Sequence, residues 1–255
     1  MTTRSRLAIV VMAAFLIQTS FIGVARASEF DPDPDWKISA YLWATGLSGE
    51  IGIGPIVADV DLSFSDLLSA LDIGGSAIAR RDWGANMLVG DLSYFALSPD
   101  DAPGPLGTTV SSNLKMPLLS AYYGRKWGTE SQYGGLLVGA RYMKMDLTLK
   151  VKGLPGDNVI TKSDSPDFTD FLLGGMYSRQ LSDRWNMMLQ GDVGVGGSNN
   201  SWNLQFIFQR KTKSGNMWDI GARIMHIDFD DKLPNGELFA IDAEMGGLML
   251  GFTWD

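Results

Sequence analysis

Cysteine is absent from the 255 residues of this chain. That absence excludes disulfides, thiolate metal sites and thiol nucleophiles. Basic excess is also missing: 21 Lys and Arg stand against 29 Asp and Glu, a formal charge of −8. A chain this acidic lacks the basic surface that neutralises phosphates, so nucleic acid is excluded as a partner. Histidine occurs once, as His226. After residue 27 no run of about 18 apolar residues remains, so no further membrane helix is expected.

What is present begins with a leader. Arg4 and Arg6 precede an apolar run from Leu7 to Val24, and Ala25-Arg26-Ala27 supplies the small residues of a cleavage site. This order reads as a cleaved secretory signal peptide over 1–27. A short periplasmic segment, 28–35, and one domain, 36–255, follow. Removing the leader takes away Arg4, Arg6 and Arg26 and no acid, so the formal charge falls from −8 to −11.

Beyond the leader, apolar and polar residues alternate from Trp36 to Trp254. The clearest case is Met143-Lys-Met-Asp-Leu-Thr-Leu-Lys-Val-Lys152. Period-two alternation marks strands with unlike faces. It places ten long strands at 36–46, 73–82, 84–97, 108–126, 133–151, 168–181, 185–197, 201–211, 216–229 and 238–254. Short turns alternate with longer links, the pattern of bacterial transmembrane barrels, which have even strand numbers. The fold expected is all-β: an antiparallel up-and-down transmembrane β-barrel of about ten strands, within a range of eight to twelve. Full strands at 48–53 and 57–64 would raise the count to twelve. The first long link carries a short helix, 65–72, with Ser65 as its N-cap, packed against the barrel rim.

Two near-repeats accompany the strands. Gly139-Ala-Arg141 and Gly221-Ala-Arg223 open similar nine-residue stretches, and Trp83 to Asp91 resembles Trp185 to Asp192. All four segments follow short turns and therefore run in one direction. Asp91, Arg141, Asp192 and Arg223 each lie opposite the apolar face of their strand. A charge facing mid-bilayer hydrocarbon costs about 2–4 kcal/mol for Arg, so the four are expected to form a mutually neutralising cluster in the lumen. Tyr41 and Trp43 oppose Ile38, Ala40 and Leu42 and are candidate lumen aromatics, for packing or for an apolar ligand. Two stretches break the parity. Residues 143–151 invert it and call for a bulge near Tyr142 or a strand projecting past the membrane. Gly246-Gly247 marks a second irregularity, with Asp242 and Glu244 on the lipid parity below it.

These residues resemble the small bacterial outer-membrane β-barrels of the OmpA-like superfamily over roughly 36–254. The resemblance rests on Leu181-Ser-Asp-Arg-Trp185 followed by Gly191-Asp-Val-Gly-Val-Gly196, on the two Gly-Ala-Arg strands, and on the closing Gly251-Phe-Thr-Trp254. It implies residence in the outer membrane of a Gram-negative cell, contact with its lipid and lipopolysaccharide, and insertion by the barrel assembly machinery. Fold analogy does not choose a function. Barrel enzymes of the outer membrane rely on a histidine, and His226 shares a face with Ile220 and Ile224, away from the lumen. The acidic run Asp228 to Gly236 has Lys232 in place of an expected calcium ligand, with the wrong spacing. No catalytic residue, metal or cofactor is expected. The reading is a structural or narrow-pore barrel with a charge-paired lumen, open to a small solute of unknown identity. The alternative is an outer-membrane lipid-modifying or hydrolytic barrel enzyme.

Overall fold

The computed structural model describes residues 30–53, 56–98, 102–103, 108–154, 158–232 and 236–255. The expected leader, 1–27, lies outside them. In chain order the elements are β1 (Asp35–Ile53), β2 (Ile56–Leu62), α1 (Phe64–Ala70), β3 (Leu71–Trp83), β4 (Asn86–Leu97), β5 (Ala102–Pro103), β6 (Thr109–Thr129) and β7 (Gln132–Lys144). They continue as β8 (Asp146–Leu154), β9 (Asn158–Asp164), β10 (Asp167–Ser182), β11 (Trp185–Val195), β12 (Asn200–Lys211), β13 (Met217–Lys232) and β14 (Leu238–Trp254).

Ten of these strands close into an antiparallel barrel. The ring runs β1, β3, β4, β6, β7, β10, β11, β12, β13, β14, and returns to β1 through Ile38↔Trp254 to Ile53↔Phe239. Closure gives each of the ten ring strands a partner on both sides, the condition for a sheet to sit in hydrocarbon. β2, β5, β8 and β9 stand outside the ring. β2 pairs only with the far half of β1, and β8 and β9 form a hairpin beside the far half of β6. The count therefore stays at ten although 48–53 and 56–62 are both strands.

The outward faces are apolar over the middle of the barrel. Phe171 is 76 % exposed and Leu248 68 %. Large side chains at that exposure, repeated around the ring, suit hydrocarbon rather than water. The barrel thus has a short-turn end, with the 84–85, 130–131, 183–184 and 212–216 connections, and a loop end carrying β2, α1, β8 and β9.

Three local expectations are corrected. The stretch 133–151 is two strands, β7 and β8, separated by Met145. There is no bulge near Tyr142: Leu118↔Met143 and Lys115↔Asp146 continue one register. Nor is there an irregularity at Gly246-Gly247, where β14 holds one register against both neighbours. The strands do project past the apolar band, and there the apolar residues turn inward. Met143, Met145, Phe239, Ile241 and Met245 are all buried in the lumen.

The short helix is also displaced from the expected 65–72. Its N-cap is Ser63, not Ser65: the Ser63 hydroxyl accepts from the Asp66 N–H at 3.3 Å, and Asp66 Oδ2 accepts from the Ser63 N–H at 2.9 Å. This reciprocal box fixes the start two residues earlier, because Ser-x-x-Asp supplies both halves and Ser65-x-x-Leu68 only one. Bonds from the Ser63 hydroxyl and N–H hold the Asp66 carboxyl below the ordinary aspartate range. α1 lies against β1 and β2, and its Leu67 joins the apolar cluster at the loop end while Leu68 stays exposed.

Candidate functional site

The lumen is layered along its axis. At the short-turn end is a vestibule of about 400 Å³ whose wall includes Lys37, Arg80, Asp82, Lys126 and Asp219. Three of its cations are matched locally. Arg80 Nε donates to Asp82 Oδ2 at 2.6 Å and Lys126 Nζ to Asp82 Oδ1 at 2.6 Å, while Lys37 pairs with Asp35 and Asp255. On the opposite wall a chain of neutral donors and one acid crosses from β1 to β11. Ser39 meets Thr253 at 2.6 Å, Thr253 donates to Asp219 at 2.5 Å, Gln209 donates to Asp219 at 3.0 Å, and Asn186 to Gln209 at 3.0 Å.

Above the vestibule lie the four charges singled out in the sequence, and the structure brings them together. Asp91, Arg141, Asp192 and Arg223 sit on β4, β7, β11 and β13, alternate strands of the ring that all rise from short turns. Arg141 Nη2 donates to Asp192 Oδ1 at 2.5 Å and Arg223 Nη1 lies 3.1 Å from Asp91 Oδ2. Both arginines have no exposed surface. Such charges persist in a dry interior only when paired and hydrogen-bonded.

The remaining valences are supplied by neighbours. Asp192 Oδ2 accepts from the Tyr122 hydroxyl and from Asn203 Nδ2, each at 3.0 Å. Arg223 Nε donates to Asn203 Oδ1 at 2.8 Å, so Asn203 links the two pairs. Arg141 Nη1 donates to the Ser201 hydroxyl at 3.0 Å, and Ser201 donates onward to Asp170 at 2.6 Å.

Tyr41 and Trp43 both face the lumen, buried to 6 % exposure. The Tyr41 hydroxyl donates to Asp91 at 2.7 Å and accepts from Arg223 Nη1 at 2.8 Å. The Trp43 ring lies under the Arg223 guanidinium at 4.8 Å, a cation–π arrangement. Both aromatics are thus spoken for by the belt. Two buried nitrogens of this layer, Arg223 Nη2 and Trp43 Nε1, have no hydrogen-bond partner among the described residues.

The glycine of each Gly-Ala-Arg repeat now has a reason. A Cβ on Gly139 would stand 2.1 Å from the Ala121 carbonyl oxygen, and one on Gly221 2.2 Å from that of Phe206. Each strand approaches its neighbour closely just below its buried arginine, and only glycine permits it.

Sequence reasoning passed over Asp170, which is fully buried on β10. It accepts from the Gly197 and Ser198 N–H groups and the Ser198 hydroxyl, at 3.0, 2.7 and 2.6 Å, tying the β11–β12 connection to the barrel wall. Its inward parity was visible between Phe168 and Leu172, but its partners lie 27 to 31 residues away.

Over the belt comes an apolar plug. Met225, Ile227 and Phe229 from β13 meet Met143, Met145, Phe168, Phe239 and Met245, with Phe168 stacked on Phe229 at 4.9 Å. A void there of about 30 Å³ has an entirely apolar lining, the kind of space that stays dry.

His226 lies on the outer surface, stacked on Trp202 at 5.9 Å with Nδ1 3.8 Å from Asp242. Among the described residues no group of three or more His, Asp or Glu is arranged to hold a metal.

No family model matches the chain, and no curated protein matches it either. Similar solved structures are membrane barrels. The translocator domain of autotransporter NalP from Neisseria meningitidis is 12% identical with a TM-score of 0.49, covering 99% of this chain and 97% of that one. The outer membrane protease OmpT from Escherichia coli is 9% identical with a TM-score of 0.46, covering 89% and 98%. The toluene transporter TodX from Pseudomonas putida is 7% identical with a TM-score of 0.34, covering 90% and 95%.

Proposed function

We propose that this chain is an integral outer-membrane barrel with a closed lumen, serving a structural role rather than passing solutes. The observation that carries this reading is the belt: Arg141 and Arg223, fully buried, are paired to Asp192 and Asp91 across the lumen and capped by an apolar plug. An ion crossing this barrel would have to break a buried pair, at about 3–5 kcal/mol, and then enter a dry apolar layer. The short-turn end faces the periplasm, where the vestibule opens, and the loop end faces outward. Membership of the OmpA-like superfamily, suggested by the strand motifs, fits this picture of a narrow, filled barrel.

A catalytic role has less support. His226 is outside the lumen, and the nearby Asp242 is 3.8 Å away with its side chain 68% exposed. No hydroxyl hydrogen bond to His226 is found among the described residues to complete a nucleophile–base pair. Planar-bilayer recording on the refolded protein tests the proposal. No stepwise conductance is expected from the native chain; a steady conductance of uniform size would contradict a closed lumen.

A further inference from the structure

The outer surface at the short-turn end repeats a second pattern that the lumen does not explain. Each of the four strands that descends into a short turn places an arginine on its outward face just before that turn: Arg81 on β3, Arg125 on β6, Arg179 on β10 and Arg210 on β12. The fifth descending strand, β14, ends instead on Trp254.

Two of these arginines, Arg81 and Arg210, stand on tryptophan rings, and none of the four has a charged register partner. In the sheet register Arg81 lies between Trp36 and Leu88, and Arg210 between Trp185 and Trp218. The register partners of Arg125 and Arg179 are likewise uncharged. No salt bridge is found for any of the four among the described residues. The Arg81 guanidinium is held over Trp36 at 5.5 Å and Trp83 at 5.9 Å, and its Nε is buried without a hydrogen-bond partner. Arg210 lies over Trp185 at 5.8 Å.

The opposite end of the same surface is acidic. Asp228 faces Asp242 and Asp242 faces Glu50 in direct register, an arrangement that like charges disfavour. The acidic total of the chain therefore conceals a polarised exterior. Guanidinium forks on aromatic rings, at the level where membrane barrels carry their aromatic girdle, match the phosphate of a lipid headgroup in geometry and charge.

We infer that this collar binds anionic glycerophospholipid headgroups in the leaflet at the short-turn end, the Trp rings lying at the headgroup level and each arginine reaching a phosphate. The inference rests on membrane insertion but not on the lumen being closed.

The test uses the Trp residues already in the collar. The full barrel is placed in mixed phosphatidylcholine and phosphatidylglycerol vesicles in which one lipid or the other carries brominated chains, and tryptophan quenching is compared. Brominated phosphatidylglycerol should reach half-maximal quenching at about fivefold lower mole fraction than brominated phosphatidylcholine. In the variant R81Q/R125Q/R179Q/R210Q the two lipids should quench alike. Arg210→Gln alone, at an exposed position, should lose part of the preference even if the fourfold variant does not insert. Equal quenching in the native barrel, or a preference kept in both variants, would overturn the collar. So would loss of the preference to inorganic phosphate at constant ionic strength, which would mean a soluble anion is taken instead. Quenching by neither lipid would contradict membrane insertion as well, whereas a conductance would leave the collar standing.

Discussion

Arg223 and Phe229 lie six residues apart on β13 and point into the same lumen, yet they belong to opposite kinds of interior. Arg223 sits in a layer of paired charges, surrounded on the outside by apolar side chains such as Ile220 and Leu248. Phe229 sits in a layer of packed hydrocarbon, and the outward neighbours at its level, Asp228 and Asp242, are acidic. The solvent outside decides which kind forms. Where the exterior meets hydrocarbon, the wall satisfies the membrane with its outer face and the inside is free to hold polar groups that bond one another. Where the exterior meets water, the same wall must bury its apolar face inward, as a soluble barrel does. One strand with one register serves both regimes by inverting its polarity part-way along.

The comparison makes the two layers differ in how they fail. Arg141→Leu should be the most damaging, because it leaves Asp192 charged and buried without its partner. A loss of about 3–5 kcal/mol is expected, read as a lower temperature for the heat-induced mobility shift on gels. Adding Asp192→Leu to the same chain should recover most of it; a double variant as weak as the single would mean that the pair is not coupled. In the plug, Phe229→Ala should cost about 3 kcal/mol through the cavity it opens. No second truncation should rescue it, since truncating Phe168 as well only enlarges the space. Rescue there would indicate specific coupling rather than packing.

Tyr41→Phe comes next, at about 1–2 kcal/mol. It removes a hydroxyl that bonds Asp91 and Arg223 while keeping the ring and the ion pair. An unchanged mobility-shift temperature would show that the Arg223 pair does not depend on that hydroxyl.

Much of this architecture was legible because parity in a strand is strict. The inward position of Asp91, Arg141, Asp192 and Arg223 follows from counting by two, and their shared height follows from each lying about the same distance past a short turn. Which acid meets which arginine was not legible. Arg223 and Asp91 meet because β14, β1 and β3 bring the ring round between them, and closure is not written in any one strand. Of the two expectations for 143–151, the projecting strand holds and the bulge near Tyr142 does not. That bulge and the irregularity at Gly246-Gly247 share one cause: an apolar face was equated with the lipid face along the whole strand. Past the membrane that equation reverses sign, so Met143, Met145 and Ala243 turned out to be interior with no slip of register. The arginine collar was hidden differently, since each arginine is unremarkable alone and only the four short turns together align them.

The closed lumen is tested most directly by cysteine accessibility, which the cysteine-free chain permits without background. Ser39→Cys lines the vestibule and Ala243→Cys lies in the plug. With the folded barrel in membranes, a charged maleimide should label Ser39→Cys readily and leave Ala243→Cys unmodified until the protein is unfolded by heat. Labelling of Ala243→Cys in the folded barrel at a rate like that of Ser39→Cys would contradict the closed lumen.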